Sequence, residues 1–163
     1  MLQPRLAGRY AKSLIDLAAE QNSLDKVYED MLYLQKVCKQ NREFVTLMRS
    51  PIIVADKKNA ILAAITSGKV SALTTAFNKL LVQKGRESIL PEIVSAYIDQ
   101  YNSIRGIHKV TLTTAQHISD TLRAAIEQKV KTDAALPKIE LETVVKEALI
   151  GGFVLEFDNK LVD

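Results

Sequence analysis

The sequence has 163 residues, of which 47% are hydrophobic and 25% charged, and its formal net charge is +3. That length suits one or two small domains, and that balance excludes a disordered chain. A single cysteine, Cys38, excludes an internal disulfide and points to a reducing compartment.

Trp is absent and aromatics make up 6%, so the cores must be built from Leu, Ile, Val and Ala. The opening MLQPRLAGRY lacks an apolar signal core. Uncharged apolar runs such as Ile61 to Ile65 are too short to span a bilayer. The charge is uneven: residues 1–105 carry 15 Lys and Arg against 10 Asp and Glu, and residues 106–163 carry seven against nine. The first part is mildly basic and the second mildly acidic, with no long run of either sign.

From Pro4 to about Gln21 the apolar residues Leu6, Tyr10, Leu14 and Leu17 recur at helical steps, flanked by Ala7, Ala11 and Ala18. Small residues let another helix approach closely. They serve either packing within a bundle or a shallow groove for a partner helix. Ser23 is expected to cap a second helix that runs to about Gln40, with Leu24, Val27, Met31, Leu34 and Val37/Cys38 inside. This makes Cys38 a half-buried helix position. Asn41 breaks that helix. A short helix with Phe44, Val45, Leu47 and Met48 follows, and Ser50-Pro51 stops it because the residue before Pro avoids the α region. Asp56 marks the start of the fourth helix, with Ile61, Leu62 and Ile65 inside and Gly68 at its end. The fifth runs from Ser71 to Lys84, with Leu73, Phe77, Leu80 and Leu81 apolar and Asn78, Lys79 and Gln83 expected in water. Gly85 closes it. Ser88 then caps a sixth helix with Pro91 in its first turn, and Ile93, Ala96, Tyr97, Tyr101 and Ile104 form one face up to Gly106.

Beyond Gly106 the period changes to two. Val110 and Leu112 alternate with polar residues in a strand, and Ser119-Asp120 caps a helix with Leu122, Ala125, Ile126 and Val130 apolar. Pro137 opens a second strand, with Ile139, Leu141 and Thr143 on one face and Glu140 and Glu142 on the other. Gly151-Gly152 bends the chain into a third, Phe153 to Phe157, and Asp158-Asn159 reads as a turn. The expected fold is mainly α: a six-helix bundle over residues 1–105, then a small β-α-β-β unit over 106–163. The second unit is small enough to be marginal alone, and is expected to be mobile or stabilised by a partner.

Parts for catalysis are few. The sequence has no GxxxxGK[ST], GxGxxG or HExxH pattern. His108, His117 and the distant Cys38 do not form a metal-ligand set. His117, Ser119 and Asp120 contain the residue types of a hydrolase triad, but sequence neighbours do not orient a nucleophile and a base, and a helix cap explains the last two. Glu140 and Glu142 read as a solvated strand face. Arg5, Arg9 and Lys12 cluster on the first helix, but no helix-turn-helix or zinc signature supports nucleic-acid binding there. The residues alone therefore lead to a non-enzymatic interaction protein, with a basic helical nucleic-acid-binding or adaptor protein as the alternative.

Four stretches together carry a family likeness: Arg9-Tyr10-Ala11-Lys12-Ser13-Leu14; Ser50-Pro51-Ile52; Leu80-Leu81 with Gly85-Arg86, Leu90-Pro91-Glu92-Ile93 and Tyr97; and Leu149-Ile150-Gly151-Gly152-Phe153-Val154-Leu155. In order and spacing they resemble the delta subunit of F-type ATP synthases, whose mitochondrial counterpart is the oligomycin-sensitivity-conferring protein. The resemblance implies a non-catalytic stator subunit without a cofactor, which ties the catalytic head to the peripheral stalk. It implies a groove for the N-terminal helix of an alpha subunit, lined by Ala7, Tyr10, Ala11 and Leu14 on one side and Phe77, Leu80 and Leu81 on the other. It also implies contact with the stalk's b subunit around Ile150, Gly151, Gly152, Phe153 and Leu155. The implied place is the cytoplasmic face of the bacterial inner membrane, reached only through the complex, with no nucleic-acid partner. The sequence departs from the family pattern in having Lys146-Glu147 where Asp-Pro is common and Asp158-Asn159 in place of Gly-Asp. It ends at Asp163, where the family continues into a C-terminal helix, so the expected second unit lacks that helix.

Overall fold

A computed structural model describes residues 4–133, 138–146, 153–157 and 160–162. The chain folds as two compact units, Met1–Tyr101 and Asn102–Asp163. The fold is mainly α, with a four-stranded sheet in the second unit.

Six helices make up the first unit: α1 (Pro4–Glu20), α2 (Leu24–Gln40), α3 (Arg42–Arg49), α4 (Ala55–Thr66), α5 (Ala72–Gln83) and α6 (Leu90–Arg105), whose last turn passes into the second unit. Local chemistry sets their ends. Asn41 alone separates α2 from α3, and its side chain accepts from the Phe44 amide at 3.2 Å. Ser71 caps α5 through the Thr74 amide. Gly85 has φ +69°, its amide donates to Val82, and the Arg86 amide donates to Leu81 at 2.8 Å. This paired pattern satisfies the last carbonyls of α5 and requires a residue without a Cβ penalty.

The sixth helix begins differently from the expectation. Ser88 lies inside a 3₁₀ turn, Glu87–Ile89, that leads straight into α6. The Ile89 amide donates to Arg86, so the chain winds up before Ser88. Ser23 precedes α2 without a side-chain cap bond.

The inner stripe of α1 is Ala7, Ala11, Leu14, Ile15 and Ala18, whereas Leu17 is 43% exposed. Other buried residues of the unit include Val27, Met31 and Leu34 of α2, Phe44 and Met48 of α3, and Ile93, Val94 and Tyr97 of α6. Tyrosines add directed bonds: Tyr97 donates to the Leu24 carbonyl at 2.9 Å, Tyr33 to Ile65 at 2.8 Å, and Tyr101 to Asp25 at 2.7 Å. Tyr101 also stacks on Tyr28 at 3.9 Å. Ile104, expected on the apolar face of α6, is exposed. So are Leu122 and Ala125 of the later helix, because the small second core needs only one edge of it.

Asn78 corrects the reading of α5. It is buried, and neither amide atom has a hydrogen-bond partner. The reason is that α5 is covered on two sides: Thr74 meets Asp30 of α2, and Phe77 meets Tyr10 of α1. Asn78, one turn beyond Thr74, falls inside that widened face. Lys79 and Gln83 are exposed as expected.

Among the described residues, three charged side chains lie inside the first unit: Asp30, Lys58 and Glu87. The Asp30 Oδ2 accepts from the Ser71 amide (2.9 Å), the Ser71 hydroxyl (2.6 Å) and the Thr74 hydroxyl (2.7 Å), while Lys26 stands 3.3 Å from Oδ1. A carboxylate at a helix start matches the positive end of its dipole. Lys58 of α4 donates to Glu87 at 2.6 Å and to the Met48 carbonyl at 3.0 Å, tying α4 to the 3₁₀ turn and to α3.

In the second unit, β1 (Ile107–Thr114) runs parallel to β2 (Lys138–Val145), with α7 (Asp120–Asp133) as the crossover. β1 pairs antiparallel with β3 (Phe153–Phe157), and β3 with β4 (Lys160–Val162), giving the order β2-β1-β3-β4. β4 goes beyond the strands expected from the sequence: three residues give too short a run for alternation to show. Val110, Leu112, Val130 and Leu141 form the core, with Ile118, Ile126, Ile139 and Leu155 around it.

Two stability outcomes follow from the buried charges. Asp30→Asn places an amide where three donors converge and should destabilise the helical unit by about 2 kcal/mol, read from the urea midpoint by far-UV dichroism. Lys58→Met strands the Glu87 carboxylate and should cost about 3–5 kcal/mol, whereas Lys58→Met with Glu87→Leu should recover most of that loss.

Candidate partner-binding surface

The residues expected to line a groove fall into two depths. Ala7, Ala11 and Leu14 of α1 and Leu81 of α5 are at most 1% exposed, because the neighbouring helices of the unit already cover them. Phe77 is buried as well, and its ring meets the half-buried Tyr10 edge-on at 6.4 Å and 69°. Leu80 is 40% exposed. Tyr10 and Leu80 are thus the members of that set that reach the surface, and the other five are buried.

Two further apolar residues of α1 and α5 reach the surface that the sequence reading did not place there. Helical spacing puts Leu17 on the inner stripe, but it is exposed on α1. Leu73 of α5 is half-buried one turn before Phe77. With Leu6 and Tyr10 half-buried, α1 and α5 carry an apolar surface strip on either side of the Tyr10–Phe77 contact. The sequence does hold the signal: Leu6, Tyr10 and Leu17 step along one side of the helix while the alanines step along the next. A stripe of small residues packs tightest, so it is the alanines that go inward.

Of the residues expected to meet a stalk, Ile150, Gly151 and Gly152 lie outside the described residues. Phe153 opens β3 opposite Thr114. Leu155 stands opposite Leu112 and packs against the core of the second unit.

Among the described residues no group of His, Cys, Asp and Glu is placed to hold a metal ion. Ser119 accepts from the Leu122 amide at 3.2 Å, which is a helix-capping geometry. Burial pushes the Cys38 thiol up from its ordinary 9.0 to about 11; the Glu92 carboxylate adds to this and the Arg49 guanidinium opposes it. Arg49 and Glu92 pair with each other at 2.8 Å. No described helix is long and apolar enough to cross a membrane.

The family model for the ATP synthase delta (OSCP) subunit matches residues 6–163. This chain belongs to that family. It is 43% identical to the ATP synthase subunit delta of Cytophaga hutchinsonii over 163 residues, which is 100% of this chain and 88% of the relative. It is 31% identical to the chloroplastic ATP synthase delta chain of Chlamydomonas reinhardtii, covering 94% of this chain and 71% of that one. Its fold matches a chain in the cryo-EM structure of the Toxoplasma gondii mitochondrial ATP synthase hexamer, with TM-score 0.79 and 22% identity over 92% of this chain and 83% of that chain. As a delta (OSCP) family member the chain is a non-catalytic, peripheral subunit of ATP synthase.

The raised Cys38 value has a checkable consequence. At pH 8 a thiol titrating at about 11 is roughly 100-fold poorer in thiolate than one titrating at 9.0, and thiolate is the reactive form. Alkylation of the folded protein at pH 8 should therefore run about 100-fold slower than in urea. Between pH 9 and 11 the unfolded thiol has lost its proton and the folded one has not, so Cys38 favours unfolding progressively across that window.

Proposed function

We propose that this subunit acts as a stator, linking an alpha subunit of the catalytic head to the b subunit of the peripheral stalk during proton-driven ATP synthesis. The helical unit faces the head and the α/β unit faces the stalk. The assembly sits at the cytoplasmic face of the bacterial inner membrane. The N-terminal helix of an alpha subunit lies along α1 and α5, over the strip of Leu6, Tyr10 and Leu17 on one helix and Leu73 and Leu80 on the other. Residues 150–155 are the proposed stalk side.

The observation that carries this reading is the apolar strip of α1 and α5, with Leu17 and Leu80 both about 40% exposed in a family whose members are ATP synthase subunits. Burying an apolar side chain contributes about 1.5–3 kcal/mol, so a handful of such contacts suffices for a specific helix-in-groove complex. A rigid floor suits a part that transmits torque, because well-packed interiors deform little.

A peptide of the cognate alpha N-terminus should bind the full chain saturably. Leu17→Asp and Leu80→Asp should each weaken it at least about tenfold while leaving the helical dichroism unchanged. Ala11→Trp is a poorer probe, because Ala11 has no exposed surface and the larger ring would disrupt packing. Equal binding by wild type and both Asp variants would remove α1 and α5 as the docking face.

A further inference from the structure

A different side of α1 carries charge. Arg5, Arg9, Lys12 and Asp16 follow at steps of four, three and four, and all four are exposed. A shallow depression is lined by Arg5, Gly8, Arg9, Lys12 and Ser13 of α1 and Gln100 of α6. A second depression also borders Arg5 and Arg9. Gln100 donates to the Gly8 carbonyl at 3.1 Å, which fixes that wall against α1.

This charge pattern works against the helix that bears it. The first turn of α1 contains no acid, and Arg5 stands there at the positive end of the helix dipole. Arg9 lies one turn on from Arg5 with the same charge, a repulsive spacing. Lys12 is neutralised by Asp16 at 2.8 Å, but among the described residues neither Arg5 nor Arg9 has an ion-pair partner. Such a pattern, with no compensating carboxylate on Arg5 or Arg9 among the described residues, suits a site where something outside supplies the compensation.

We infer that the Arg5–Arg9–Lys12 face, with Gln100 as its wall, docks an acidic helical segment of another protein. From Arg5 to Lys12 the face is about 10 Å long, two turns of helix, which matches a partner helix with carboxylates at the same steps. Asp16 and Glu20 continue the face with the opposite sign. They end the basic run abruptly and would repel a phosphate backbone tracking along α1. No aromatic residue bounds the depression to stack a base. A short acidic segment therefore fits better than a nucleic acid.

The probe is an alanine-based helical peptide with three Glu at steps of four and three, compared with its Gln counterpart, by fluorescence anisotropy with the full chain at low salt. The Glu peptide should saturate, the Gln peptide should not, and raising the salt should weaken binding. Arg5→Gln with Arg9→Gln should weaken it at least tenfold, and Arg5→Glu with Arg9→Glu should transfer binding to a peptide carrying three Lys. Leu80→Asp should leave Glu-peptide binding unchanged, so this face and the α1–α5 strip are tested separately. Equal binding of the Glu and Gln peptides, or indifference to the Arg5 and Arg9 changes, would overturn the inference. So would tighter binding of a 20-nucleotide single strand or of anionic lipid vesicles through the same two arginines.

Discussion

The carboxylate of Asp30, buried inside α2, takes hydrogen bonds from one amide and two hydroxyls at the start of α5. A buried charge is tolerated only where such donors surround it, so α5 must begin where Ser71 and Thr74 can reach Asp30. That fixes α5 against α2. Phe77, three residues on, is then carried to the edge of Tyr10 on α1. The apolar strip of α1 and α5 thus inherits its geometry from a polar contact on the other side of α5.

A second buried charge acts at the far end of the same helix. Gly85 turns the chain out of α5, and the next residues wind directly into a 3₁₀ turn that brings Glu87 onto Lys58. The pair joins α4 to the lead-in of α6, and the Met48 carbonyl brings in α3. Directed bonds of this kind add little net stability over apolar packing, but they penalise every alternative arrangement that separates the partners. In a part proposed to carry torque, fixing one arrangement matters as much as depth of stability.

The faces of α1 divide its work. Alanines point inward and allow close approach, Leu6, Tyr10 and Leu17 give an apolar side, and Arg5, Arg9 and Lys12 a charged one. A helix with three distinct sides is suited to packing in its own unit while meeting partners of different chemistry. The second unit is simpler, with one sheet and one crossover helix around a core led by Val110, Leu112 and Leu141.

Much of this was legible in the sequence, because it depends on neighbours a few residues apart. Helical and strand periods gave the order of helices and the change to strands after Gly106. Gly85 and Asn41 marked ends that depend only on local backbone chemistry. Tertiary structure decided the depth and direction of each side chain. Asn78 was expected in water, and nothing in their type marks Asp30 and Lys58 as buried, since charges and amides default to water. Yet Asp30 lies at helical spacing between Val27 and Leu34, and Lys58 one turn before Leu62, so their positions were on the inner stripe all along. What the chain could not state was which group from a distant helix would meet them, for that partner lies 29 to 44 residues away in sequence and only the packed fold brings it within bonding distance.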